Sequence, residues 1–157
     1  MNDVYANSSA SAIIAALAAA IAGGFAPAHQ ATVAVAGDPA MAIEMLAAGK
    51  PGGTAIVIFY GGDTAAGDEG LPEDTLVEAQ IRIGVVRRVG LAAKPAAQPT
   101  GALAEAEALR TFVASRDGEG TLTGVYEYAG MAPLQTHTGE LLHGYALTYK
   151  ALYAYTV

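Results

Sequence analysis

One segment of the chain is apolar on both faces of an extended backbone. Thr54 to Tyr60 has the sequence Thr-Ala-Ile-Val-Ile-Phe-Tyr, and β-branched and aromatic residues of this kind favour strands. Successive side chains of a strand point to opposite faces, so a strand that is apolar throughout must be covered on both. The segment therefore predicts a central strand with structure packed on each side of it.

A second long segment has the alternation of a strand with one buried face. From Thr75 to Val89, apolar residues alternate with Glu78, Gln80 and Arg82. The phase of the alternation changes near Gly84, which predicts a bulge at that point.

The closing segment, 141–157, is rich in Tyr, Leu, Thr and Val and predicts a further strand. Tyr145, Tyr149, Tyr153 and Tyr155 share one parity. They either pack one sheet face in the core or meet a neighbouring subunit, and the pattern leaves both open.

Helical spacing appears in three segments, and two weaker strands complete the pattern. Serines near position 9 predict an N-cap for the first helix, and Gly23-Gly24 is expected to end it. Gly61 to Asp74 and Gly90 to Gly101 are expected to be loops. The helices are predicted at 11–22, 39–48 and 102–115, and the weaker strands at 31–36 and 122–128.

The order of these elements predicts a single α+β domain over residues 1–157. At 157 residues the chain has the length of one ordinary domain. Consecutive strand pairs favour antiparallel pairing, so we expect a mixed or mainly antiparallel sheet of about four or five strands. Helices are expected to pack mainly on one face of it.

Charge and composition exclude several classes of protein. The net charge of −7 and the eight scattered basic residues argue against a nucleic-acid binder, which needs a Lys/Arg footprint. The absence of Cys removes disulfides, thiolate catalysis and Cys-based zinc sites. The apolar run from Ala12 to Ala22 has no positive residue before it and is short for a membrane span, so we expect neither a signal peptide nor a membrane protein.

No motif indicates catalysis or a metal. His137 and His143 are six residues apart, which fits neither helical nor strand ligand spacing, and with His29 they are expected to be surface residues. The carboxylates of the loop from Gly61 to Asp74 do not have the register of a calcium loop. Gly61-Gly62 is followed by neither the Lys-Ser/Thr pair nor the helix of a phosphate loop. We therefore expect no catalytic residues, no metal and no cofactor.

The composition favours a subunit of an assembly. Only 15% of residues are charged while 53% are hydrophobic, many of them Ala, as expected if repeated subunits cover part of the surface. The residues expected to meet a neighbour are Arg82, Arg87, Arg88 and Lys150, as ion-pair partners for acidic groups, and Tyr149.

The overall order resembles the tail terminator and tail-completion (minor tail) proteins of long-tailed bacteriophages. Five stretches carry the resemblance: the opening helix 11–17, the strand 55–60 with its Gly61-Gly62 exit, the strand 78–89, a helix from Ala102, and the final strand 144–149. These families share architecture rather than a signature motif.

The resemblance implies a structural virion protein without enzymatic activity. Such subunits form a homo-oligomeric ring, a hexamer in that family, which caps the tail tube and meets the head completion or connector protein. DNA would pass through the lumen without specific binding, and the protein would reach the virion after assembly in the host cytoplasm. The resemblance brings no catalytic residue to this chain.

Two alternatives stay open. The chain could be another head–tail joining protein or a tube subunit, which would stack into open-ended polymers. It could also be a small ligand-binding or enzymatic α+β domain, which would need a concave pocket with convergent polar groups.

Overall fold

A computed structural model describes residues 9–36, 54–65, 74–88, 98–118, 125–134 and 142–156. The helices are α1 (Ala10–Ala20), continued by a π-helical segment (Ile21–Phe25) and α2 (Ala26–His29), and α3 (Gln98–Gly118). The strands are β1 (Ala31–Ala36), β2 (Thr54–Ala65), β3 (Asp74–Arg88), β4 (Val125–Pro133) and β5 (Leu142–Thr156).

The five strands form one mixed sheet in the order β1-β2-β3-β5-β4. The β1–β2 pair is parallel, and the other three pairs are antiparallel. The predicted α+β fold with a mixed sheet is therefore confirmed. Among the described strands, β1 and β4 are the outermost, and β5 lies between β3 and β4. The described part of β1 pairs with β2 only as far as Phe59, so β2 from Tyr60 onward is an edge within the described residues.

One face of the sheet, called here the front face, carries the main core. The odd-numbered residues of β3 and β5 lie on it, as does Ile56 of β2. Ile13 and Leu17 of α1 and Leu109 of α3 pack into the same cluster. Both described helix regions therefore contact the front face. The predicted helix at 39–48 lies outside the described residues, so the expectation that helices pack mainly on one face stays a prediction.

The opposite, back face has a smaller apolar cluster. Val57 and Val86 are buried there, and Leu134 packs against them. Glycines at 84 and 144 leave room for Leu134, because a Cβ at either position would lie 3.3 Å from its Cδ1. Ile56 and Ile58 on the front and Val57 and Phe59 on the back are all buried, which confirms that this part of β2 is covered on both faces.

The first helix is longer than predicted. Ser9 caps it as expected, with its side chain accepting a hydrogen bond from the Ala12 N–H. Gly23-Gly24 does not end it, because the chain continues through the π-helical segment as far as Gln30, whose φ of 51° closes the last turn. Burial of Phe25 in the core, a gain of about 1.5–3 kcal/mol, outweighs the poor helix propensity of the two glycines.

The longer helix also changes the comparison with a membrane span. In the part of the chain that the structure describes, Ala10–His29 is one helix of 20 residues that contains an 18-residue stretch of mean hydropathy 1.8, long and apolar enough to cross a membrane. The expectation that this run is too short is therefore wrong. The core helix of a water-soluble protein and an N-terminal signal sequence meet the same criterion, and here Ile13, Leu17 and Ile21 are fully buried in the core.

The bulges lie at other positions than the sequence predicted. The β3 register is regular through Gly84, so the bulge expected there is wrong: the phase changes because Val86 is buried on the back face. Register shifts occur instead in β2, between Tyr60 and Asp63, and in β4, between Tyr128 and Gly130. Consequently β2 continues to Ala65, through the first residues of the predicted loop.

Candidate interface residues on the two sheet edges

The β2 bulge places two polar side chains on the same face of the sheet. Tyr60 pairs with Ile81 and Asp63 pairs with Ala79, so Gly61 and Gly62 together oppose Gln80. Side chains three residues apart in a regular strand point to opposite faces, and one extra residue brings them to the same face. Gly62 has a φ of 99°, which only glycine adopts readily.

Asp63 is the acceptor in a small cluster of hydroxyl groups at this edge. The Tyr60 hydroxyl donates a hydrogen bond to Asp63 Oδ2, and the Tyr153 hydroxyl approaches the same oxygen at 3.4 Å. Burial of the hydroxyl and the hydrogen bond to Asp63 raise the pKa of Tyr60 to about 12. Tyr60 is 40% exposed and Asp63 is exposed, so this cluster presents a carboxylate and an aromatic ring to solvent.

The β4 edge presents a cation and an aromatic ring. The Arg110 guanidinium carbon lies 5.4 Å from the centre of the Tyr128 ring, and Arg110 Nη1 is 3.5 Å from the Tyr128 hydroxyl. The hydrogen bond to Tyr128 raises the pKa of Arg110 further above its ordinary value, so the side chain stays charged. Tyr128 is 40% exposed.

Tyr149 supports this edge from the core. Its ring meets that of Tyr128 edge-to-face with a centroid separation of 5.7 Å. Its hydroxyl is buried and has no hydrogen-bond partner among the described residues. Burial raises the pKa of Tyr149, so the phenol stays neutral over the physiological range.

The two edge clusters lie on one line across the sheet. Tyr60 pairs with Ile81, Ile81 with Tyr149, and Tyr149 with Tyr128. The exposed tyrosines therefore occupy the two ends of one four-strand row, about 14 Å apart at three strand spacings. One end carries the Asp63 carboxylate, and the other carries the Arg110 guanidinium, on whose charge Glu107 also acts.

A third polar contact joins the two helix regions. His29 stacks on Phe25, and its Nδ1 lies 2.7 Å from Glu105 Oε2. The two atoms are close, but Glu105 Oε2 accepts no well-aligned hydrogen bond from the described residues. The contact is therefore an ion pair when His29 is protonated. Among the residues described, no group of three His, Cys, Asp or Glu side chains could hold a metal ion.

The five residues expected at an interface have different surroundings. Arg82 is exposed on the back face, whereas Lys150 on the same face forms an ion pair with Glu78 at 3.7 Å. Arg87 approaches the start of α3, since a Cβ on Gly101 would lie 2.7 Å from its Nη1. Arg88 pairs through its backbone with Leu142, and its side chain is outside the described part.

Tyr149 is 3% exposed and lies in the front-face core, whereas Tyr128 beside it is 40% exposed. The expectation that Tyr149 meets a neighbouring subunit stays a prediction.

The edge residues themselves were missed in the sequence. The Gly61-Gly62 pair predicts the end of a strand and so a loop position for Asp63, whereas Asp63 lies within β2. The signal that would have found it is the Gly-Gly pair inside a hydrophobic alternation, which is typical of a bulge. Of the three histidines, His29 is half-buried beside Glu105, His143 has an undescribed side chain, and His137 lies outside the described ranges.

A comparison with known protein families finds no family whose profile matches the chain, and a search of curated proteins finds no match either.

Proposed function

We propose that the chain is a structural subunit of a bacteriophage tail, similar to a tail terminator, that associates with copies of itself into a closed ring. The observation that carries this proposal is the pair of unlike sheet edges, one with Tyr60 and Asp63 and the other with Tyr128 and Arg110. When two different surfaces of the same protein meet without the reciprocal contact in the same pair, the contact is head-to-tail, and it generates a ring when the rotation closes.

Three further features support a structural role. The described residues contain no candidate metal cluster. Their α-β-β-β-α-β-β order agrees with the architecture that the resemblance implies. The net charge of −7 suits a lumen through which DNA passes without adhering to it. In this proposal the ring caps the tail tube protein on one side, meets the head completion or connector protein on the other, and is a component of the virion.

The test is the mass of the purified protein by light scattering after size exclusion, followed by negative-stain imaging. A discrete ring of about six subunits, the number in the family that the chain resembles, supports a terminator, because such a protein stops at one ring. Filaments or tubes that lengthen with concentration contradict a terminator and favour a tube subunit. A monomer at every concentration contradicts self-assembly and favours the ligand-binding alternative, which a ligand screen would then address.

A further inference from the structure

We infer that the edge formed by Tyr60 and Asp63 in one copy of this chain binds the edge formed by Tyr128 and Arg110 in the next copy. This inference rests on the proposed assembly and names the surfaces that make it. The partner is a second copy because the Asp63 carboxylate and the Arg110 guanidinium of one molecule have opposite charge.

Arg110 has the properties of an interface anchor. Among the described residues, no carboxylate lies within ion-pair distance of it, although the Glu107 carboxylate one helical turn earlier acts on its charge, and its guanidinium lies over the Tyr128 ring. Arginine and tyrosine are enriched among residues that dominate binding energy. Because the ring fixes the guanidinium before binding, less side-chain entropy is lost when a carboxylate arrives.

Asp63 has acceptor capacity left for such a cation. Both described hydrogen bonds reach Oδ2, and Oδ1 accepts none from the described residues. A carboxylate has about four lone-pair sites, so it can bind two tyrosine hydroxyls and a guanidinium together. Tyr60 and Tyr153 also fix the carboxylate direction, which favours a geometrically specific contact.

The position of the two edges permits a head-to-tail contact, and their charges disfavour contact of either edge with itself. Tyr60 and Tyr128 are at the ends of one row and on the same face, so the Asp63 edge of one copy meets the Arg110 edge of the next without a change of face. A two-fold contact of either edge with itself would bring carboxylate to carboxylate or guanidinium to guanidinium, and like charges in contact disfavour association.

The experiment exchanges the two charges. Asp63→Lys alone and Arg110→Glu alone are each expected to weaken self-association by about 100-fold, because each places like charges at every contact. Mixing the two variants in equal amounts should restore assembly. The lysine introduced at position 63 of one variant meets the glutamate introduced at position 110 of the other, and Arg110 of the first variant meets Asp63 of the second as in the wild type. The double variant should also assemble. The measurement is light scattering across a concentration series.

A matched control reverses a charge on the back face. Glu127→Lys changes an exposed residue of β4 by the same amount of charge and should assemble as the wild type does. Circular dichroism and cooperative thermal unfolding check that each variant folds. If Asp63→Lys does not fold, the isosteric Asp63→Asn and the uncharged Arg110→Gln replace the reversed pair, and each should weaken association on its own.

The outcomes separate this inference from the proposed function. If the wild type forms a ring and neither single variant disrupts it, the named contact is overturned and the proposed ring stands. Disruption rescued by mixing, in a protein that forms open filaments, supports the contact and overturns the terminator. A wild-type monomer at all concentrations, or single variants that stay dissociated after mixing, overturns the inference.

Discussion

Tyr60 and Asp63 point to the same face of the sheet, although side chains three residues apart in a regular strand point to opposite faces. The reason is the bulge at Gly61-Gly62, which opposes two residues to the single residue Gln80. The hydrogen bond between the Tyr60 hydroxyl and Asp63 depends on that bulge. The acidic edge is thus a product of backbone conformation at one glycine.

Substitution of that glycine should weaken the edge and the fold together. Gly62→Ala forces an L side chain to a φ of 99°, and we expect the free energy of unfolding to fall by about 1–3 kcal/mol. Urea denaturation measures the change. Gly23→Ala is the control: a Cβ there meets nothing within 4 Å, so the same substitution in a helical segment should stabilise the protein by about 0.4–1 kcal/mol. Equal destabilisation by both variants would contradict the role of the bulge.

Gly144 is required because neighbouring atoms leave no room for a side chain, and not because of its backbone conformation. A Cβ at this position would lie 2.6 Å from Val86 Cγ2 and 2.9 Å from the Val85 carbonyl oxygen. Since β3 and β5 are hydrogen-bonded neighbours, the backbone cannot move away freely. We expect Gly144→Ala to lower the free energy of unfolding by about 1–3 kcal/mol in urea denaturation, again with Gly23→Ala for comparison. An unchanged midpoint would mean that the strands separate here at little cost.

Two buried tyrosines should respond in opposite directions to loss of the hydroxyl. Tyr149→Phe removes a buried group that has no described partner, so stability should stay level or rise by up to about 1 kcal/mol. Tyr126→Phe removes a hydroxyl that donates to the Ile13 carbonyl oxygen at 3.3 Å, and stability should fall by about 1 kcal/mol. Thermal unfolding of the pair measures both. A clear loss in Tyr149→Phe would show that its hydroxyl has a partner in the native protein.

The raised pKa of Tyr60 gives stability a dependence on alkaline pH. The folded protein holds this proton more tightly than the unfolded chain, so the contribution to stability is complete below pH 10 and is lost as pH rises towards 12. The Tyr60 titration can be followed by NMR of a ring-labelled sample.

Asp63→Asn should move the Tyr60 titration partly towards 10, because the charge of Asp63 contributes to the shift while burial contributes first. Glu127→Gln removes a charge on the other face and should leave the titration unchanged. A Tyr60 titration that ignores Asp63→Asn would mean that burial alone sets its pKa.

The sequence by itself determined the strands and their faces. Period-two alternation identified β3 and β5, and the apolar segment Thr54–Tyr60 identified a strand covered on both sides, because these patterns follow directly from side-chain geometry. Only the tertiary structure decided where the first helix ended, since burial of Phe25 offset two glycines. It also decided the edge clusters: Tyr60 and Tyr128 are 68 positions apart in the chain, and strand order and register alone put them at the ends of one row.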